Sequence, residues 1–228
     1  MRLIATAAVL VAAAVGWLAV SASADSADRF LIVRPAQADG TVALHAYPGG
    51  PVRLTLTSTT VFGSPLAFSV ARVRGDWLGV RSDALPNGRL GWIDMRRAAL
   101  RTFSTRLRLD VDLSRRELVL FRGPDILRRM IAAVGRPGSP TPSGHFAVTD
   151  KLPGSRIGSG FGCCVIALSG HQTRLPAGWK GGDRIAIHGG DESTLGQAVS
   201  AGCLHARTTD LRWLMRIVPL GTPVEIHE

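Results

Sequence analysis

"RLRLDVDL", residues 106–113, is the stretch that decides the fold class. Leu107, Leu109, Val111 and Leu113 alternate with charged or polar residues. A period of two places all four on one face of a β-strand, and no helix presents them so. The pattern continues downstream. "ELVLF" (117–121), "MIAAVG" (130–135) and "GHFAVTD" (144–150) read as further strands. "CVIALSG" (164–170) and "IAIHGG" (185–190) read as buried strands that end in glycine. "TPVEI" (222–226) closes the unit. One stretch has a helical period. In "TTDLRWLMRIV" (208–218), Leu211, Leu214, Met215 and Val218 share a face, and Thr208 or Thr209 is the expected N-cap. The unit from residue 104 to 228 is therefore mainly β with one or two short helices.

Upstream, residues 28–101 read as short strands joined by turns. Pro48-Gly49-Gly50 separates two apolar stretches, and Pro86-Asn87-Gly88 separates "GDWLGVRS" (75–82) from "GRLGWIDM" (88–95). Trp77 and Trp92 hold similar places in those two strands and are expected in the core of a small β domain. No internal repeat or low-complexity linker separates the units.

The N-terminus carries its own signal. Met1-Arg2 precedes an uncharged run from Leu3 to Val20, and Ala22-Ser23-Ala24 has the small-x-small form of a cleavage site. Residues 1–24 are expected to be a signal peptide or, uncleaved, a membrane anchor, since the run is just long enough to span a bilayer. Either reading exports the rest of the chain to the cell wall or a periplasm-like space.

The net charge is +10 and almost all of the base is arginine; Lys151 and Lys180 are the two lysines. The arginines are scattered and not interleaved with aromatics, which argues against a nucleic-acid partner. Attraction to a wall polyanion or anionic lipid remains open beside a simple compositional bias. The six histidines form no close cluster with acids, so no metal and no cofactor is expected. There is no glycine-rich phosphate loop.

Cys163, Cys164 and Cys203 are the only cysteines. A bridge between neighbours closes a strained ring. The sequence thus leaves either three thiols or one of the pair bridged to Cys203. A nucleophilic thiol needs a base and backbone room. His188, at the end of a buried strand and followed by two glycines, is the best-placed base. Gly202 allows a sharp turn that presents Cys203 and aims nearby N–H groups at one spot, as an oxyanion requires. Ser200 is placed to bind the loop or the substrate. His171 follows a buried strand and is a candidate for the cleft. His205 lies two residues past Cys203, a spacing that diverges on strand or helix.

"IAIHGG", "LGQAVSAGCL", Asp210, "PLGTPVEI" (219–226) and "GRPGSPTPSGHFAVTDK" (135–151) together resemble the L,D-transpeptidase catalytic domain, from about Arg106 to Ile226. "LHAYPGG", "FGSP" (62–65), "GDWLGV" and "NGRLGWI" resemble a bacterial Src-homology-3-like barrel. The resemblance implies such a barrel followed by a β-sandwich with a short helix bearing the cysteine. It implies Cys203 as nucleophile, His188 as general base and acid, and Gly189 as the residue whose carbonyl holds the histidine. Ser200 and Gly202 fall on the motif's serine and glycine. His205 stands where the family usually has arginine or asparagine, and Ala201 where it often has a basic residue, so His205 is expected to shape the donor pocket; His171, from its place after a buried strand, is the second substrate-binding candidate, with a surface-loop position as the alternative. The implied substrate is the tetrapeptide stem of peptidoglycan, and the implied product a cross-link between two diamino-acid residues made by a monomeric enzyme open to carbapenems. Alternatives are an L,D-carboxypeptidase using the same thiol, and a non-catalytic wall-binding protein with Cys203 in a disulfide. A papain-like endopeptidase is disfavoured, because there the cysteine precedes its histidine.

Overall fold

A computed structural model describes residues 28–228, so the expected signal or anchor segment lies outside the described residues. Two antiparallel-dominated sheets account for most of the chain. The first contains β1 (Phe30–Pro35), β2 (Thr41–His45), β3 (Val52–Thr57), β4 (Phe68–Arg74), β5 (Trp77–Arg81), β6 (Gly91–Asp94) and β7 (Leu100–Thr105). Their order is β3-β2-β6-β5-β4-β1-β7. The glycine turns do what their chemistry requires: β2 pairs with β3, and β5 with β6, both antiparallel. Val33, Val42, Leu44, Phe68, Val80 and Ile93 form the core of this module. Trp92 is buried, while Trp77 stands edge-on to His45 at its margin.

The second sheet begins with β8 (Leu107–Asp112), β9 (Glu117–Arg122) and β10 (Asp125–Ile131). A two-residue strand, β11 (Val134–Gly135), follows, then β12 (Gly144–Pro153), β13 (Cys164–His171) and β14 (Arg184–His188). The chain closes with β15 (Ala198–Ser200), β16 (Leu204–His205), α1 (Thr208–Ile217) and β17 (Pro223–His227). The sheet order is β10-β9-β8-β17-β12-β13-β14-β16, and β11 pairs separately with β15. All four alternating side chains of 106–113 are buried, and with Leu118, Ile166, Ile187, Leu211 and Leu214 they form the main core. The fold is mainly β with one α-helix among the described residues.

Four expectations change in detail. β7 pairs with β1 along its whole length, so the first sheet runs on to Thr105 and the second starts at Leu107. The single strand expected over 130–135 is split, which frees Ala133 to bridge His205. The helix is not capped by a threonine side chain. Its N-cap is Arg207, and the Thr208 N–H instead donates to the Glu192 carboxylate at 2.8 Å. Finally, Cys163 and Cys164 are joined in a disulfide and Cys203 is free. The alternation of β13 explains why the partner is not Cys203. Cys164 faces the main core with Ile166 and Leu168, whereas Val165 faces the opposite side, where Cys203 lies. The reading that places Cys203 in a disulfide is overturned.

Candidate active site

Cys203 sits in a turn between β15 and β16, not on the expected short helix. Gly202 makes the turn, with φ at +120°, a region that side chains other than glycine rarely adopt. Ser200 braces it. The Ser200 hydroxyl donates to the Cys203 carbonyl at 2.6 Å and accepts the Gly202 N–H at 3.0 Å. Ser200 is therefore bound to its own loop, and the Gly202 N–H is already engaged and does not point at an oxyanion. Gly202 thus acts here through the turn it makes, its own N–H being engaged within the loop. The Cys203 N–H makes no hydrogen bond among the described residues. From outside, Gln172 Nε2 ties the turn down, donating to the Ala201 and Pro140 carbonyls at 3.1 and 2.9 Å.

These contacts make a prediction. A Cβ on Gly202 falls 2.0 Å from Gln172 Nε2, in addition to the unfavourable φ. Gly202→Ala is expected to lose about 1–3 kcal/mol from backbone strain alone, read as a lower urea midpoint. A wild-type midpoint in the variant would show that the turn relaxes without cost.

β14 and β16 run parallel, with His188 opposite His205. The ring centroids are 4.7 Å apart, and Phe161 covers His188 at the same distance. His188 is buried, and its Nδ1 hydrogen-bonds the Gly189 carbonyl. A carbonyl only accepts, so Nδ1 carries the proton and Nε2 is left with its lone pair. That carbonyl is fixed by close backbone packing. The Gly189 N–H donates to Phe161 O at 3.0 Å, and a Cβ on Gly189 would stand 2.8 Å from Gly162 Cα.

Electrostatics favour neutral forms. Burial, then the neighbouring His205, lower the His188 pKa to about 4, against a small opposing effect of the Gly189 carbonyl. Burial also lowers His205 and raises Cys203 above the usual thiol range. The resting pair is thiol and neutral imidazole, not thiolate and imidazolium. Among the described residues no hydrogen bond joins Cys203 Sγ to His188; the thiol faces the Arg184 carbonyl at 3.9 Å. Catalytic hydrogen bonds often tighten only once substrate is bound.

Cys203, His188 and His205 line one cavity of about 270 Å³, with Ala201 and Gln172. His171 does not. A register shift in the β13–β14 pairing carries it away, and its ring meets the Asp83 carbonyl at 2.7 Å and the Asp183 carboxylate at 3.1 Å. The His171 ring is thus engaged at the junction with the first module rather than in the cavity lining. The sequence reading missed Phe62, Phe161, Leu175, Trp179 and Arg184 in the lining. Leu175 and Trp179 are exposed apolar residues in a Pro- and Gly-rich loop, and that conjunction is the signal that marks them. Among the described residues no group of three or more His, Cys, Asp or Glu could hold a metal ion, and no helix is long and apolar enough to cross a membrane.

The chain is similar to a protein of Bacillus licheniformis that bears the name L,D-transpeptidase YkuD. The two are 32% identical over 120 residues, which is 52% of this chain and 64% of the relative. The chain thus spans less than two thirds of that relative's length. Among solved structures, an L,D-transpeptidase from Mycobacterium smegmatis is 18% identical with a TM-score of 0.44, covering 86% of this chain and 99% of its own. L,D-transpeptidase 3 from Mycobacterium tuberculosis, solved with a faropenem-derived adduct, is 19% identical with a TM-score of 0.41, covering 61% and 73%. Residues 106–226, the segment that builds the second sheet and holds the thiol and both cavity histidines, match the model of the YkuD L,D-transpeptidase catalytic domain, and the chain belongs to that family.

Proposed function

We propose that the protein is a peptidoglycan L,D-transpeptidase that works through an acyl-enzyme on Cys203. The observation that carries this is a free thiol and a buried imidazole lining the same cavity, with the imidazole held in the tautomer that leaves Nε2 basic. The donor is a tetrapeptide stem whose diamino acid is linked to terminal D-alanine. As the Cys203 sulfur attacks the carbonyl between them, its proton passes to His188 Nε2. The neutral resting forms make this a coupled transfer, with general-base help typically worth about 10²–10⁴-fold. The Cys203 N–H, which makes no hydrogen bond among the described residues, is the donor assigned to the oxyanion in this reading. On collapse the C–N bond breaks, and His188 returns the proton to the leaving amine of D-alanine. A second stem's amine then attacks the thioester, loses its proton to His188 and expels the Cys203 sulfur, which is reprotonated. The product joins two diamino-acid residues. The apolar uncharged run from Leu3 to Val20 supports action outside the cytoplasm, at the cell wall.

Incubation of the purified protein with a disaccharide-tetrapeptide, followed by mass analysis, tests the reaction. Dimer with loss of D-alanine supports it; tripeptide alone would show that water is the acceptor. A carbapenem is expected to leave a covalent adduct on Cys203 that disappears in Cys203→Ser. An adduct of equal yield in that variant would refute the assignment of the nucleophile.

A further inference from the structure

The cavity beside Cys203 is not built by the catalytic unit alone. Phe62, from the turn between β3 and β4 of the first module, is part of its lining. Its ring belongs to the same small apolar cluster as Leu152, Val165, Ala186 and Cys203 itself.

Phe62 is held there from several sides. Thr60 Oγ1 accepts the N–H groups of Phe62 and Ser64 at 3.3 and 3.2 Å and donates to Asp150, a fully buried carboxylate on β12. Arg156 donates to the Phe62 carbonyl at 3.2 Å. A second loop of the module grips the far end of β14. Asp83 pairs with the Arg184 guanidinium, which also donates to Thr149 Oγ1 at 3.0 Å and lies 5.9 Å from the centre of the Phe62 ring. Asn87 accepts from the His171 N–H at 2.8 Å and donates to the His171 carbonyl at 2.7 Å. Thr60, Phe62, Asp83 and Asn87 of the module are thus bound to the catalytic unit around the site. A loop that served only to join two units has no need to bring an aromatic ring into contact with the nucleophile's own cluster.

We propose that Phe62 is a specificity-determining residue, supplied by the preceding module, whose ring forms the wall against which the aliphatic part of an acyl-donor stem peptide rests beside Cys203. The proposal rests on the transpeptidase reading above. The wall around Phe62 is made of Leu152, Ile157, Val165 and Phe161. Such a surface favours methyl and methylene groups, with the Arg184 guanidinium at its edge. In a tetrapeptide donor those groups are the D-alanine methyl and the methylene chain of the diamino acid.

The test is steady-state turnover of a disaccharide-tetrapeptide by the full chain and by Phe62→Ala and Phe62→Leu. The iodoacetamide rate at Cys203 and the thermal midpoint are measured for each. Contacts in an apolar pocket are typically worth about 10–200-fold in discrimination. Phe62→Ala is expected to raise KM toward the lower end of that range with kcat retained, and Phe62→Leu to raise it by a smaller but still measurable factor. The iodoacetamide rate should not fall, because that reagent is too small to need the wall. An unchanged KM in Phe62→Ala, whatever happens to the thermal midpoint, overturns the proposal and leaves Phe62 a packing residue. If Phe62→Ala does not fold, Phe62→Leu decides, since losing the ring face must still raise KM measurably. A wild-type protein inert toward both tetrapeptide and carbapenem would instead overturn the transpeptidase reading, and this inference with it.

Discussion

His188→Ala is expected to lower tetrapeptide turnover by about 10²–10⁴-fold, the usual worth of a positioned general acid–base. Two proton transfers are lost together, from the thiol and to the leaving amine. The effect is large because Cys203 does not ionise on its own at neutral pH: burial raises its pKa. A pre-formed thiolate would survive loss of the imidazole far better. His205→Ala is expected to behave differently. That ring touches His188 and the cavity but lies on the neighbouring strand, and its Nδ1 is buried without a hydrogen-bond partner among the described residues. Its removal should raise KM and leave the iodoacetamide rate at Cys203 in place, and His205→Arg should keep activity. Turnover and alkylation measured on all three variants separate the roles. Loss of both in His205→Ala, with His188→Ala near wild type, would exchange the assignments.

The same buried imidazole makes stability depend on pH. In the unfolded chain His188 binds a proton as pH falls through about 6.5, whereas in the folded state it does so only near about 4. Between those values the unfolded state holds more protons, so acid favours unfolding. The full contribution is present above the unfolded pKa and fades as pH falls toward the folded one. At about 1.4 kcal/mol per unit, the depression corresponds to about 3 kcal/mol lost from pH 7 to pH 4. Carboxylates and His205 titrate in the same span, so the wild-type curve alone does not isolate the group. His188→Gln does, because glutamine stays neutral throughout. Urea midpoints of the two proteins should converge as pH drops from 7 to 4. Parallel curves would show that His188 is not held neutral by burial.

Much of the fold is legible in the sequence because its signals are local. The alternation of 106–113, the turn at Pro86-Asn87-Gly88 and the face of α1 each follow from a period or a residue's backbone freedom, and the matching elements form. The two cavity histidines and Cys203 are legible for a related reason, since strand ends and glycine turns place them. What escapes is whatever depends on tertiary registration. His171 is displaced from the cleft by a register shift between two strands, which no one-dimensional pattern records. Phe62 and Arg184 reach the site through contacts that cross between modules 94 or more residues apart. The pairing of Cys163 with Cys164 rests on both residues packing against the main core at the start of β13, and the direction of the Cys203 pKa shift follows from burial.

The pairing of the two neighbouring cysteines also governs the fate of the third under oxidation. With Cys163 and Cys164 already spent on each other, on the main-core side of β13, Cys203 has no partner within its own chain. An oxidant therefore has no intramolecular cross-link by which to silence it. Capture of the nucleophile requires a second molecule, such as a small thiol forming a mixed disulfide, and that molecule must enter through the cavity meant for substrate.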